Sequence, residues 1–242
     1  MKKPRLLCIG HRGATGHVPE NTLDSVRKAL ELGAPCIEVD VHMVDGHLFV
    51  FHDNRLERTT NGTGYLHEQS YAYLRSLDAG GGQRIPTLEE VCDVIGERAC
   101  LNIELKGAGT VGPVAAMVRR LLKQGWRRDA ILVSSFNHRD LFELKGLEKE
   151  IRIGALVCGI PLGEAKFAQN LGAFSVHPFL DFVDTRFVQD AHKRGLRVYV
   201  YTVDHPEDID RMHRLGVDGI LTNFPERVLN RYSQGDSPPR WV

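Results

Sequence analysis

The sequence has little with which to hold a polyanion or a bilayer. Lysine plus arginine and aspartate plus glutamate each number 31, so no net field gathers nucleic acid or anionic lipid. No apolar stretch approaches the roughly 18 residues needed to span a bilayer. The apolar run at Leu6 ends within a few residues at His11 and Arg12, short of the roughly 7 to 15 residues of a secretory signal. There is no CxxC motif, and the five cysteines, Cys8, Cys36, Cys92, Cys100 and Cys158, mostly lie in or beside apolar segments. They read as reduced core residues of a cytoplasmic protein. No Pro/Gly/Ser linker divides the interior, and the spacing of Gly10, Gly13 and Gly16 fails the phosphate-binding pattern G-x-x-x-x-G-K-[ST]. These absences argue against a nucleic-acid binder, a membrane-spanning protein, a disulfide scaffold and a P-loop enzyme.

What is present is a rhythm. Short apolar runs at Leu6–Gly10, Cys36–Val41, Cys100–Leu105, Ile131–Ser134, Ile153–Val157, Phe174–Val176, Val198–Tyr201 and Gly219–Leu221 alternate with helical patterns, as in a parallel sheet built from βα units. Asn21 is placed to cap a helix carrying Leu23, Val26 and Leu30 on one stripe, with Gly33 ending it. Similar stripes stop at Gly125, Gly195 and Gly216. An open doubly wound sheet fits this rhythm too, but eight strands in 242 residues match a (β/α)8 TIM barrel of about 250. The expectation is one domain over 1–242. The segment Leu48–Phe51 forms a hairpin after Asp45-Gly46, 54–84 is an insertion shaping the rim or lid of the site, and 233–242 is a flexible tail.

Two stretches carry the chemistry, Cys8–Gly13 (CIGHRG) and Ile37–Asp53 (IEVD through a turn to FVFHD). Glu38 and Asp40, two apart on a strand, project from one face. Like charges held together out of water need a shared cation, and a hard divalent ion is the simplest. The hairpin returns His52 and Asp53 toward them, and His11 ends the first strand. The third barrel strand, NIELK, adds Glu104 as a third carboxylate and Lys106 as a phosphate anchor. With Arg12 and Lys106 counted, such a loaded site is net positive and wants an anion. His17, His47, His67, His138, His192, His205 and His213 read as ordinary structural or surface histidines. An amidohydrolase would want His-x-His where the first strand here ends His-Arg.

Read together, GHRG (Gly10–Gly13), PENT (Pro19–Thr22), IEVD (Ile37–Asp40), His52-Asp53, RTTNGTG (Arg58–Gly64), IPTLEE (Ile85–Glu90), NIELK (Asn102–Lys106), SSF (Ser134–Phe136) and GVDGILTN (Gly216–Asn223) resemble the glycerophosphodiester phosphodiesterase family. The resemblance implies a TIM barrel that hydrolyses glycerophosphodiesters to sn-glycerol 3-phosphate and an alcohol with one divalent cation, Mg2+ or Ca2+. It implies His11 and His52 as the catalytic pair, Glu38, Asp40 and Glu104 as metal ligands, and Arg12 and Lys106 on phosphate. Glu20 is placed to position Arg12, and Phe136 and Tyr201 to bind substrate. Two positions depart from many relatives: Tyr201 stands for Trp, and Asn223 for Asp, the latter outside the implied catalytic set. His11 is assigned as general base and His52 as general acid, with the exchanged roles also open, as is the choice of water or the glycerol 2-hydroxyl as nucleophile. The alternatives are a lysophospholipase D-like activity and a non-catalytic phosphodiester-binding module, which would be expected to have lost at least one of these residues.

Overall fold

The computed structural model describes residues 5–234 and 239–241. Nine strands, numbered along the chain, are β1 (Leu7–Gly10), β2 (Cys36–Val44), β3 (His47–Val50), β4 (Cys100–Leu105), β5 (Ile131–Ser135), β6 (Arg152–Val157), β7 (Ser175–Pro178), β8 (Arg197–Val200) and β9 (Gly219–Thr222). All but β3 pair in parallel, and β1 pairs with both β2 and β9, which closes an eight-stranded barrel. The β3 strand folds back antiparallel on β2 through Asp45 and Gly46, both at positive φ, as a tight hairpin requires. The (β/α)8 barrel expected from the sequence is therefore the fold observed.

Among the described residues there are also nine α-helices: α1 (Leu23–Leu32), α2 (Tyr71–Ser76), α3 (Leu88–Ile95), α4 (Val111–Lys123), α5 (His138–Leu147), α6 (Lys166–Asn170), α7 (Thr185–Lys193), α8 (Pro206–Leu215) and α9 (Pro225–Leu229). The stripe residues Val26, Val114, Val118, Leu121, Phe187, Val188, Ile209 and Met212 are buried against the strands in one continuous core. Thr22, rather than the expected Asn21, caps α1: its hydroxyl accepts from Ser25 N at 3.1 Å. Asn21 is instead turned toward the barrel mouth, at φ +55, and its amide donates to Asp40 Oδ2 at 2.9 Å.

The insertion has a small apolar cluster of its own. Leu56, Leu66, Leu74, Leu77 and Ala79 pack with Phe49, Phe51 and Ile85. The barrel base is closed from the chain's other end. Trp241 is buried with Leu7, Ile9, Cys36, Cys100 and Tyr199, and its indole donates to Ala130 O at 3.2 Å. Gln234 bonds both Cys8 N (2.7 Å) and Leu6 O (3.2 Å). Within the segment expected as a flexible tail, Gln234 and Trp241 are thus packed on the barrel, where a tryptophan fills the apolar base. Residues 235–238 and 242 of that segment lie outside the described residues. Cys8, Cys36, Cys92 and Cys100 are buried and Cys158 is exposed, all as free thiols. No helix among the described residues is long and apolar enough to cross a membrane.

Trp241→Ala is expected to cost about 3 kcal/mol of stability, the usual scale for deleting a buried tryptophan. Because the base lies opposite the site described next, kcat should be retained. Urea unfolding of parent and variant checks this, and an unchanged midpoint would contradict the packing argument.

Candidate active site

The site grows from strand ends at the C-terminal face of the barrel. The GHRG turn at the end of β1 is tight: a Cβ on Gly10 would meet Gly13 O at 2.5 Å, and one on Gly13 would meet Ser25 at 2.4 Å. Between the two glycines Arg12 is held at φ +52, a conformation that costs a non-glycine residue energy. This turn aims Arg12 N at Glu38 Oε2 (2.9 Å). The guanidinium bonds Glu20 at 2.7 Å and lies 3.2 Å from Asp40.

The parallel register of β2 and β4 places Glu38 beside Asn102 and Asp40 beside Glu104. Glu38, Asp40 and Glu104 offer oxygens that all lie within 4.8 Å of one another, and all three residues are buried. Burial first, then the charges of Asp40 and Glu104, pushes Glu38 well above the usual carboxylate range. Burial and Asp40 push Glu104 up to about 7 against the pull of Lys106. Lys106 Nζ lies 2.9 Å from Glu104 and 3.8 Å from Asp40. Burial opposes the charges of Lys106 and Arg12, yet the surrounding carboxylates raise both pKa values. Glu38 Oε1 is buried with no hydrogen-bond partner. A hard divalent cation fits this all-oxygen donor set and the orphaned oxygen.

Both predicted histidines flank the carboxylates. His11 Nδ1 lies 2.8 Å from Asn223 Oδ1. Burial, helped by Arg12, lowers its pKa to about 4, so at neutral pH the ring is an uncharged acceptor. His52 Nδ1 lies 2.5 Å from Asp53 Oδ1, and its Nε2 lies 3.2 Å from Lys106 Nζ. The His52 carbonyl is bonded by the His42 ring at 3.1 Å. Glu20 meets Arg12 as expected. Phe136 lies under Lys106 Nζ, 5.7 Å from its ring centroid, and packs edge-on against Tyr201, which in turn packs on Phe179. These rings form an aromatic wall leading out of the site.

Four participants escape sequence reasoning. Arg58, from the insertion, bonds both Glu20 (2.7 and 2.9 Å) and Asp53 (2.5 and 3.1 Å), which holds both carboxyls near 2 against burial. His42 supports the His52 backbone. Asn223 was expected outside the catalytic set, but barrel closure places its amide on His11, and Asp204 grips that amide from behind at 2.7 Å. The available signals were an arginine in the RTTNGTG motif and a carboxylate just past a strand, in YTVD. Neither names its partner.

Glu104 supplies a pH test. A carboxyl whose folded pKa is raised, here from 4.5 to about 7, contributes stability below its unfolded value and loses it as pH rises through the folded value. Glu104→Gln carries no such loss. In chelator, the variant should therefore gain on the parent from about pH 5 to about pH 8, by up to about 3 kcal/mol. His11 shifts in the opposite sense but is common to both proteins. Unfolding curves across that window check this, and a pH-independent difference would count against it.

The description "Glycerophosphoryl diester phosphodiesterase family" matches this chain over residues 11–227. The chain is 38% identical to the glycerophosphodiester phosphodiesterase of Caldanaerobacter subterraneus subsp. tengcongensis, over 96% of this chain and 99% of that one. Its fold superposes with a TM-score of 0.86 on an Oleispira antarctica phosphodiesterase solved with the product sn-glycerol-3-phosphate, at 33% identity over 95% and 96% of the two chains. A putative glycerophosphodiester phosphodiesterase from Galdieria sulphuraria gives 0.85 at 30% identity, over 95% and 98%. With that family matched over most of the barrel, the chain belongs to the glycerophosphoryl diester phosphodiesterase family and is a phosphodiester hydrolase.

Proposed function

We propose that the protein hydrolyses glycerophosphodiesters to sn-glycerol 3-phosphate and an alcohol, with Glu38, Asp40 and Glu104 holding one Mg2+ or Ca2+ and with His11 and His52 moving the protons. The observation that carries this reading is the three-carboxylate cluster with an unpartnered oxygen, flanked by two histidines in contrasting surroundings. When bound, the cation supplies Lewis acidity toward a phosphoryl oxygen. Arg12 and Lys106 orient the phosphate and offset its charge. An oxygen nucleophile gives its proton to His11 Nε2 as it bonds to phosphorus: water forms sn-glycerol 3-phosphate directly, whereas the glycerol 2-hydroxyl forms a cyclic phosphate that water then opens to the same product. The bond to the leaving alcohol then breaks, and His52 protonates the departing oxygen, with Asp53 steadying the imidazolium. The aromatic wall of Phe136 and Tyr201 packs against the carbon skeleton of the substrate.

A lysophospholipase D-like activity is the second reading. It is favoured by the exposure of Phe136, Ile160, Leu162 and Phe182 in loops after β5, β6 and β7, an apolar rim beyond that wall. Turnover of glycerophosphocholine, glycerophosphoethanolamine, glycerophosphoglycerol and a lysophospholipid, compared on one preparation, decides between the two.

EDTA should abolish turnover of the preferred substrate, and either Mg2+ or Ca2+ should restore it. Full activity after verified metal removal would sink the metal assignment. The histidine roles separate by leaving group. p-Nitrophenolate departs without a proton, whereas an alkoxide needs one. His52→Ala is therefore expected to cost a hundredfold or so on glycerophosphocholine and far less on a p-nitrophenyl phosphodiester. His11→Ala should be severe on both, because the nucleophile must lose its proton whichever group leaves. The reverse pattern would exchange the roles.

A further inference from the structure

The first and last barrel strands meet at β1 and β9, with Gly10 registered on Thr222 and His11 N bonded to Thr222 O at 2.9 Å. This closure sets Asn223 directly against the His11 ring. Behind Asn223, Asp204 accepts three hydrogen bonds: from Asn223 N (2.8 Å) and the Thr222 hydroxyl (3.0 Å) on Oδ1, and from Asn223 Nδ2 (2.7 Å) on Oδ2.

Donor and acceptor chemistry fixes the direction of the chain. An ionised aspartate only accepts, so the amide must present its nitrogen to Asp204 and its oxygen to His11. An amide oxygen also only accepts, so the His11 nitrogen facing it must carry the proton. We propose that Asn223, clamped by Asp204, is a positioning residue that locks His11 in the Nδ1–H tautomer and so leaves Nε2 as the proton acceptor. The inference rests on the reading of His11 as the base, and it assigns Asn223 and Asp204 a joint role in the reaction.

The arrangement also explains which replacements should fail. Asn223→Asp would set one acceptor-only carboxylate against another, and Asp204→Asn alone would put an amide donor against an amide donor or turn Asn223 around. Exchanging the two residues restores the sequence of donors and acceptors. An asparagine at 204 can keep its oxygen on the backbone N–H of residue 223 and the Thr222 hydroxyl while its nitrogen donates to a carboxylate at 223, which accepts from His11 Nδ1–H.

The test uses 15N-labelled protein, with and without Mg2+, and long-range proton–nitrogen correlation to read the His11 ring, assigned by its absence in His11→Ala. The parent should show the Nδ1–H form, and Asn223→Ala should move a substantial fraction to Nε2–H. In the same variant kcat should fall by about tenfold to a hundredfold, the range seen when a partner that orients a functional histidine is removed, with KM close to the parent's. Asn223→Asp and Asp204→Asn should each lose at least about tenfold, and the double exchange should recover most of that loss, a coupling that independent structural defects would not produce. An Nε2–H ring in the parent would overturn the proposal, as would Asn223→Ala with parental tautomer and kcat, or a double exchange no better than the singles when all three are folded. A failure of the underlying reading is distinguishable: His11→Ala would then keep parental kcat, whatever the tautomer of the parent ring.

Discussion

Three carboxylates buried within 4.8 Å of one another are the constraint to which the upper half of this barrel answers. Such a cluster cannot exist fully ionised without nearby positive charge, because burial and mutual repulsion both act against it. Two neighbouring strands create it, with Asp40 opposite Glu104 in the parallel register and Glu38 one inward position below. Arg12 and Lys106 are drawn in from the adjoining strand ends. Their charge is still insufficient to satisfy every oxygen, as the raised Glu38 and Glu104 and the orphaned Glu38 Oε1 attest. The strained backbone at Arg12 belongs to the same account, since the positive φ turns its N–H onto Glu38.

From that cluster the charges alternate outward in sign. Asp40 meets Arg12, Arg12 meets Glu20, Glu20 meets Arg58, Arg58 meets Asp53, and Asp53 meets His52. The loop after β1 is thereby tied to the end of the hairpin and to the insertion that follows it. Arg58 is half exposed, so each of its pairs contributes little to stability on its own. Its bidentate geometry matters more, because it fixes where Asp53, and so His52, can stand. The insertion is held by its own apolar cluster from below and by this ladder of ion pairs from above.

Much of this was legible in the sequence because it is local. Strand positions follow from four-to-six-residue apolar runs, and Glu38 with Asp40, or Glu104 with Lys106, share a face by the two-residue period alone. The partners that escaped notice are set by closure and by loop conformation. His11 and Asn223 are 212 residues apart, and no periodicity says that the first strand end will face the last. Asn21 and Thr22 are both good helix caps by composition. Only the location of Asp40 decides that Asn21 turns inward and Thr22 caps. Trp241 lies in a proline- and glycine-rich tail whose composition reads as disorder, and the vacancy it fills at the barrel base is a property of eight strands together.

The two histidines illustrate how one residue type acquires two chemical characters. His11 is half-buried beside Arg12 and partnered by an uncharged amide, and loss of solvation together with the Arg12 charge lowers its pKa to about 4. His52 is half-buried and partnered by a carboxylate on Nδ1 and by Lys106 on Nε2. On the proposed mechanism His11 is the base and His52 the acid, and their partners differ: an amide at the barrel closure for His11 and a carboxylate at the hairpin end for His52.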